Sequence, residues 1–428
     1  MAKATTNTNF NLTPATTLGR QNLRSFLHYS DPAILNDHQE SSGDTSPLYS
    51  SSSTTAPSSP WSELASASAS PYTKSPWLHL PPAQGAGGTF RHVATLVRDE
   101  GHVYSLAACG DLVYTGSDSR NIRVWDGEFR EVSGFKSKSG FVKAIVVLEG
   151  MVFTGHHDGK IRVWRSSGRT GSYYRRVGSL PTVSQYLKNS INPRAYVAVR
   201  RHRSVPWVRH YDAVSCMSVD LSRGLLYSGS WDKTIKVWRL KDWKCVESID
   251  AHNDAVNSVA VGFDGFVFSG SADGTVKAWR RELVGTAARH VAVETLLDQE
   301  SAVTSLAVSS DAVYAGSSDG LVKFWWRRRE SEFLEYGGAL RGHKLAVLCL
   351  AAGAGGLVVS GSADKSICVW RRSEFGGVHV CVTVLTGHDG PVKCLAAVEE
   401  GGGRWRVYSG SLDRSVRVWV LTENAAER

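Results

Sequence analysis

The sequence predicts an all-β protein, a seven-bladed β-propeller preceded by a disordered amino-terminal tail. Two observations carry this prediction: a short phrase that recurs along the chain, and a first segment of different composition. The phrase is best preserved at Tyr227-Ser-Gly-Ser-Trp-Asp-Lys-Thr-Ile-Lys-Val-Trp238. Seven copies of it end in a tryptophan, namely Trp125, Trp164, Trp238, Trp279, Trp325, Trp370 and Trp419. Most copies lie about 40–50 residues apart, the period of a four-stranded propeller blade.

Each repeat contains the pattern of four short strands. An apolar strand such as Ala255–Val261 comes first, a second strand ends in Ser-Gly-Ser or a variant, and a third runs from an Asp-containing turn into the tryptophan. A fourth strand such as Lys244–Ile249 follows. One repeat cannot bury both of its faces, whereas a ring of repeats can. Because the last repeat ends before a fourth strand, we expect Phe90–Leu96 to supply it and to close the ring.

The chain divides into two parts of different composition. Residues 1–88 are rich in Ser, Thr, Pro and Ala, and such a segment buries too little apolar surface to offset its ordering entropy. We therefore expect a disordered tail at 1–88 and the propeller at 89–428. Five Ser/Thr-Pro pairs leave two roles open for the tail, a tether or a target of proline-directed kinases. A faint resemblance of residues 1–30 to an organellar transit peptide is an alternative to ordinary disorder.

Composition indicates an intracellular protein that is not an enzyme. The seven cysteines are odd in number and lack C-x-x-C spacing, which is typical of a reducing compartment. No apolar stretch is long enough to span a membrane, and no secretory signal begins the chain. The motifs of serine hydrolases, P-loop proteins and zinc proteases are missing, so we expect neither catalysis nor a cofactor nor a metal. The predicted location is the cytoplasm, the nucleus or both.

The repeats from about residue 90 to 421 resemble the WD-repeat (WD40) family. In that family a blade is held by His, Ser or Thr, Asp and Trp joined by hydrogen bonds. The resemblance implies four such structural tetrads: His210, Ser228, Asp232 and Trp238; His252, Ser269, Asp273 and Trp279; His343, Ser360, Asp364 and Trp370; and His388, Ser409, Asp413 and Trp419. The other three repeats depart from the pattern, so we expect their blades to be held less rigidly. Their departures are Lys138 and Gln299 in place of His, and Asp99 and Ser119 in place of His and Asp.

A more specific resemblance is to the plant JINGUBANG-like branch of this family. Repeats two and three are 74 residues apart, and the intervening runs carry the likeness together with parts of repeat one. These runs are Ser179–Ser190, Tyr196–Arg203, Trp207–Cys216, Ala94–His102 and Tyr114–Trp125. The resemblance implies a non-enzymatic plant scaffold or regulator linked to pollen germination or growth.

The excess positive charge is concentrated in one insertion. The formal net charge is +9, and residues 166–209 contain nine bases and no acid. Because this insertion follows a third strand, we expect it to cover the face where third strands end, together with bases such as Arg371. A helix at Thr182–Asn189 is predicted to dock the insertion through Val183, Tyr186 and Leu187. The expected anion-binding residues are Arg175, Arg176, Arg200, Arg201, Arg203, Arg327, Arg328 and Arg329.

Three interpretations of that positive face remain open. It is a solvated surface, a site for an acidic or phosphorylated protein segment, or a site for nucleic acid or an anionic membrane headgroup.

The other face of the ring is the candidate site for a protein partner, because side chains from every blade converge there. Large aromatic residues at exposed turns contribute strongly to interfaces. Filling space beside the neighbouring blade is the structural alternative for Trp231. The predicted protein-binding residues are Trp231, Tyr211, Phe141, His157, His102, Asp118, Lys344 and Leu412. We thus expect a monomeric propeller that works within a complex of other proteins, with a nucleic-acid-associated propeller as the alternative.

Overall fold

A computed structural model of the protein describes residues 88–97, 100–148, 150–167, 173–200, 203–285, 287–327, 333–373, 377–401 and 403–423. The predicted tail therefore lies outside the described residues, apart from Gly88, and Asp99 lies outside them as well. Within them the chain forms seven four-stranded antiparallel sheets, which confirms the seven-bladed propeller.

The blades follow one another along the chain. Blades one to three contain β2 (Val103–Cys109), β3 (Leu112–Ser117), β4 (Asn121–Trp125) and β5 (Glu131–Lys136); β6 (Val142–Leu148), β7 (Met151–His156), β8 (Ile161–Ser167) and β9 (Tyr173–Leu180); and β12 (Val214–Asp220), β13 (Leu225–Ser230), β14 (Thr234–Arg239) and β15 (Lys244–Asp250). Blades four and five contain β16 (Val256–Val261), β17 (Phe266–Ser271), β18 (Val276–Val284) and β19 (Ala287–Leu297); and β20 (Val303–Val308), β21 (Ala312–Ser317), β22 (Leu321–Arg327) and β23 (Leu334–Arg341).

The last two blades complete the ring. Blades six and seven contain β24 (Val347–Ala352), β25 (Leu357–Ser362), β26 (Ile367–Arg372) and β27 (His379–Leu385); and β28 (Val392–Gly401), β29 (Arg404–Ser411), β30 (Ser415–Glu423) and β1 (Gly88–Val97). Between blades two and three lie the helix α1 (Val183–Ile191) and a hairpin of β10 (Tyr196–Arg200) and β11 (Arg203–Pro206). Single 3-10 turns occur at Pro193–Ala195, Phe263–Gly265 and Ala354–Gly356.

The amino-terminal strand closes the ring, as the sequence predicts. β1 pairs antiparallel with β30, so that Phe90 lies opposite Leu421 and Leu96 opposite Val416. The last blade thereby obtains its fourth strand from the start of the domain, and the pairing leaves no gap between blades seven and one.

The core lies between neighbouring blades. Tyr227 and Val237 of blade three pack with Val267 and Trp279 of blade four in one buried cluster. The Ser-Gly-Ser phrase supports this packing, because a Cβ atom on Gly229 would lie 2.7 Å from Cγ1 of Val256 in the next blade. Glycine at this position lets the second strand of one blade lie close to the inner strand of the next blade.

The antiparallel order of the strands defines two faces of the ring. We call the aspartate face the one that carries the turns between second and third strands and the connections from blade to blade. The opposite face carries the connections from first to second and from third to fourth strands. In blade three, for example, the Asp232 turn and the His210 connection meet on the aspartate face, where the two side chains are hydrogen-bonded.

The predicted position of the basic insertion is wrong. Its first part, Tyr173–Leu180, is β9, the fourth strand of blade two, and β9 pairs with β8. Tyr174 and Leu180 are buried, whereas Arg175 and Arg176 are exposed on this outer strand. Blade two needs a fourth strand, and this segment supplies it. The two arginines therefore lie on the solvent-exposed side of a regular strand and not in an inserted loop. The true insertion begins at Pro181 and leaves from the aspartate face.

The helix docks through a polar side chain and not through its apolar residues. The hydroxyl of Thr182 accepts a hydrogen bond from the backbone N–H of Gln185 at 3.3 Å and caps α1. The Gln185 amide donates to the carbonyl of Cys245 (2.9 Å) and accepts from its N–H (3.0 Å), as a neighbouring strand would at the edge of β15. Val183 and Leu187 are consequently exposed and only Tyr186 is half-buried, so the predicted apolar docking face is wrong.

Candidate functional site

Buried tetrads hold the turns of the aspartate face in place. In blade three, His210 lies 2.8 Å from Asp232 and 2.9 Å from the Ser228 hydroxyl, which also accepts from Trp238 at 2.9 Å. The other three tetrads have the same geometry, with His–Asp separations of 3.2, 3.2 and 2.7 Å at His252, His343 and His388. The turns are therefore fixed from beneath by polar side chains that all have partners.

Electrostatics reinforces this arrangement at Asp232. Burial by itself raises the pKa of this carboxyl group, but the attraction of His210 and its hydrogen bond outweigh burial and hold the pKa well below its usual range. Burial lowers the pKa of His210. A carboxylate that also accepts the N–H groups of Tyr211 and Thr234 keeps the backbone beside Trp231 in one conformation.

Blade two uses a different set of side chains. The hydroxyl of Thr154 accepts from the indole N–H of Trp164 at 2.9 Å and lies 2.8 Å from Nε2 of His156, while Asp158 pairs with Arg162 at 2.6 Å. Sequence reasoning missed His156. The available signal was its register, because Thr154-Gly-His156 stands where blade three has Ser228-Gly-Ser230.

A run of aromatic rings crosses the aspartate face from blade one to blade three. Ring centroids lie 6.0 Å apart for Tyr104 and Phe141, 5.9 Å for Phe141 and His157, and 6.2 Å for His157 and Trp231. All four side chains are half-buried, so each still presents part of its ring to solvent. We call these four residues the aromatic patch.

A lysine from the inner strand of blade two lies among these rings. The Nζ of Lys143 is 4.4 Å from the ring centroid of Trp231, 5.2 Å from Tyr104 and 5.6 Å from Phe141. Cations over aromatic faces are stabilised by the ring quadrupole, and this effect fixes the position of the ammonium group. Sequence reasoning missed Lys143 and Tyr104, although both directly follow the repeated valine of an inner strand.

The remaining predicted partner residues belong to blades one, three, six and seven. Tyr211 belongs to blade three, where its hydroxyl donates to the carbonyl of Asp232 at 3.1 Å and its side chain lines the cleft beside the hairpin. His102 and Asp118 form a pair at 2.9 Å on blade one. Lys344 and Leu412 belong to blades six and seven, and the aromatic run does not reach them.

Among the described residues, the predicted anion-binding arginines do not form one cluster. Arg175 and Arg176 lie on the outer strand of blade two, Arg327 ends a third strand of blade five, and Arg200 pairs with Arg203 across the hairpin. Arg201, Arg328 and Arg329 lie outside the described residues. These positions belong to separate parts of the ring.

Acids of neighbouring loops also offset the bases at the ends of third strands. Arg327 pairs with Asp264 of blade four, and Arg372 of blade six pairs with Asp311 of blade five at 2.7 Å. Arg239 pairs with Asp242 at 2.7 Å. Each of these acids lies on the opposite face, so the charge there is partly neutralised.

A cleft of about 450 Å³ separates the hairpin from the outer strand of blade three. Val197, Val205 and Trp207 line one side, and Val246 and Ser248 of β15 line the other. The ammonium group of Lys236 donates to the hydroxyl of Ser248 at 2.8 Å and to the backbone carbonyl of Trp207, so this lysine ties the connection after the hairpin to blade three.

Three further observations concern the described residues alone. No group of three or more His, Cys, Asp or Glu side chains is arranged there to hold a metal ion. All seven cysteines are free thiols. No helix in this part of the chain is long and apolar enough to cross a membrane.

Comparison with known proteins identifies the repeats. The family model "WD domain, G-beta repeat" matches over half of the chain, at residues 91–126, 204–239, 243–280, 291–325, 335–371 and 379–420. The designed Ika8 protein has a similar structure, with a TM-score of 0.52 and 24% identity over 77% of this chain and 99% of that one. At this identity the likeness shows the fold alone.

Curated relatives match parts of the ring. Cell division control protein 4 of Saccharomyces cerevisiae is 26% identical over 54% of this chain, and Nuclear distribution protein nudF 1 of Talaromyces marneffei is 30% identical over 50%. The chain spans 25% and 40% of the length of these two proteins. Small ribosomal subunit protein RACK1y of Oryza sativa is 41% identical over 13% of this chain and 17% of its own. The protein belongs to the WD40 repeat family.

Proposed function

We propose that the protein is a non-enzymatic scaffold that binds a partner protein on the aromatic patch. The observation that carries this proposal is the position of Lys143, whose ammonium group lies 4.4 Å from the Trp231 ring at the centre of a half-buried aromatic run. Family membership supports the general role, since repeat propellers present such converging surfaces to other proteins. The tetrad beneath the Trp231 turn, and the Thr154, His156 and Trp164 set beneath the His157 turn, fix these two rings before a partner arrives, which lowers the cost of binding.

The chemistry of the patch favours a segment that combines apolar and acidic side chains. The rings of Phe141 and Trp231 offer apolar and aromatic contact area, and Lys143 offers a cation to a carboxylate or phosphate. His157 adds a polar group, because its Nδ1 is buried without a hydrogen-bond partner among the described residues. A peptide acid that reaches this depth would meet both groups.

The biological role that we propose is that of a plant regulator in the cytoplasm or nucleus, linked to pollen germination or growth. Support for this finer role is the resemblance of runs such as Tyr196–Arg203 to the JINGUBANG-like branch. In this proposal the monomeric propeller holds its partners within a complex.

Replacement of Trp231 by alanine tests the patch. We expect W231A to lose the partners that the wild-type protein recovers by affinity purification, while its thermal melting stays within a few degrees of wild type. Trp326 provides the matched control, because it is a half-buried tryptophan at the end of a third strand on the opposite face. Unchanged recovery by W231A, or equal loss in W326A, would contradict the proposal.

A Lys143→Met variant separates charge from shape at the same position. Methionine keeps an unbranched apolar side chain but removes the ammonium group, so we expect binding of an acidic partner to weaken about tenfold or more. Binding that is unchanged in K143M but lost in W231A would show that the partner contacts the rings without using the cation.

A second candidate function is nucleic-acid binding by the insertion, in place of binding to an acidic or phosphorylated protein segment. The observation that favours it is the β10–β11 hairpin, in which Arg200 lies opposite Arg203. If RNA or DNA binds there, its affinity should fall steeply with salt, and R200A/R201A/R203A should flatten that dependence. No measurable nucleic-acid affinity at low salt would leave the protein-binding scaffold as the single proposal.

A further inference from the structure

The helix α1 leaves an apolar stripe uncovered. Val183, Leu187 and Ile191 are 71%, 55% and 82% exposed, and their spacing of four residues places them on one side of the helix. The docked side carries Gln185, which hydrogen-bonds the backbone N–H and C=O of Cys245 at the edge of β15. The three aliphatic side chains of a nine-residue helix therefore face away from the propeller.

The fold holds the helix in this orientation. Isolated helices of this length are marginal in water, so contacts with the rest of the protein must supply its stability. The cap at Thr182, the Gln185 amide on Cys245, and the Tyr196 hydroxyl that donates to the carbonyl of Ser190 at 2.9 Å supply such contacts. The outward stripe is thus preformed before anything binds to it.

The surroundings of the stripe are basic. Lys188 lies in the last turn of α1 and Arg194 just beyond it, both exposed, and the helix has no acid in its first turn. Tyr196, at the start of β10, is an exposed aromatic residue whose hydroxyl donates to the carbonyl of Ser190 in the helix.

We infer that this surface binds an anionic lipid membrane. A short helix that lies along the surface of a domain, with aliphatic residues outward and bases beside them, has the pattern of interfacial helices. Anionic headgroups attract each nearby base, and the aliphatic side chains enter the boundary between headgroups and acyl chains.

The observations favour a lipid surface over a protein occupant. The stripe is convex, so a planar lipid surface reaches all three side chains, whereas a protein would need a matching groove. A second copy of this chain would bring two acid-free basic segments together, which like-charge repulsion opposes. The surface is separate from the aromatic patch, so this inference stands or falls independently of the proposed scaffold role.

Co-sedimentation of the full chain with lipid vesicles tests the inference. We expect the protein to pellet with vesicles of phosphatidylcholine mixed with phosphatidylserine, and to stay in solution with phosphatidylcholine alone. Binding should decrease as salt is added, because the electrostatic part is screened.

The variant V183A/L187A/I191A tests the stripe itself. Alanine is the best helix former, so α1 should persist while most of the outward apolar surface is lost, and vesicle affinity should fall about tenfold or more. The matched control is L221A/L283A/V378A, which removes two leucines and a valine of 64%, 77% and 60% exposure elsewhere on the ring. This control should bind vesicles like the wild type.

Several results would overturn the inference. They are a wild-type protein that stays in solution with the anionic vesicles, a stripe variant that binds as well as the control, or a control that loses as much affinity. Sedimentation analysis without lipid is the second measurement. Wild-type dimers that the stripe variant abolishes would assign the stripe to self-association and so overturn the membrane inference too.

Discussion

The two faces of the propeller use their charged side chains in different ways. On the aspartate face Lys143 lies among aromatic rings, 4.4 Å from the centroid of Trp231. On the opposite face, Arg372 of blade six pairs with Asp311 of blade five at 2.7 Å, and Arg327 pairs with Asp264. A run of bases in the sequence is therefore a poor guide to surface charge. What matters is whether an acid or a ring lies beside each base in the folded ring.

The largest effect that we expect concerns the tetrads beneath the aspartate face. Asp232→Ala removes the partner of a His210 whose side chain is fully buried, so the free energy of unfolding should fall by about 3 kcal/mol or more. Ser119 stands at the same position in blade one and bonds to the Ser117 hydroxyl at 2.7 Å. Ser119→Ala should cost about 1 kcal/mol or less. Equal losses in denaturant unfolding of the two variants would contradict the role of the tetrads.

The second effect is a pH dependence that also originates on the aspartate face. Burial, followed by the nearby charge of Arg162, lowers the pKa of His156 to about 3. Unfolding returns this histidine to a pKa of about 6.5, so the unfolded state takes up a proton that the folded state refuses. Stability is therefore fully present above about pH 6.5 and is lost as the pH falls towards the folded pKa.

The His156→Gln variant measures this contribution. We expect the wild type to lose on the order of 2 kcal/mol between about pH 7 and about pH 5 through this residue, and the variant to lose correspondingly less. His379, at the start of β27 on the opposite face, has a pKa lowered to about 4 by burial and by Arg372, so its replacement by Gln should flatten the curve by nearly the same amount in this pH range. Denaturant titration at each pH gives the free energy of unfolding. If this free energy falls with pH as steeply in the His156→Gln variant as in the wild type, the assignment to His156 is refuted.

The smallest effect concerns the ion pairs of the opposite face. Asp311→Asn should cost only a few tenths of a kcal/mol, because both partners are partly exposed. It should nevertheless delay elution from heparin, since Arg372 loses the acid that offsets it. Asp389→Asn changes the net charge equally at an exposed position on the aspartate face and serves as the control. Identical elution of the two variants would mean that Arg372 is not neutralised by Asp311.

Much of the fold could be predicted because it repeats. The tryptophans, the Ser-Gly-Ser phrase and the turn aspartates recur in register, and the missing last strand required a replacement near Phe90, which β1 supplies. The tetrads follow from the same register. Repetition turns a weak local signal into a strong one.

The insertion was harder to predict, since it occurs once. The sequence pattern places Arg175 and Arg176 in the insertion although they belong to β9, because Tyr174 and Leu180, the buried side of that strand, do not stand out in the sequence. The sequence predicts that the helix docks through Val183 and Leu187. Instead, the Gln185 amide makes hydrogen bonds to the backbone N–H and C=O of Cys245, which apolar side chains would leave without partners. Contacts between residues 60 apart in sequence leave no periodic signal.

The aromatic patch was predicted in part. Trp231, Phe141 and His157 occupy turn positions that repeat from blade to blade, and they form one run. Tyr104 and Lys143 come from inner strands, where most repeats have smaller or apolar residues, and they join the run only through the ring geometry.

Hydroxyl-radical footprinting of the protein, free and in complex with its affinity-purified partners, locates the partner site on the ring. We expect Trp231 and Phe141 to become protected from oxidation in the complex, whereas Trp326 on the opposite face should react as in the free protein. Protection of Trp326 with unchanged oxidation of Trp231 would contradict the assignment of the partner site to the aspartate face.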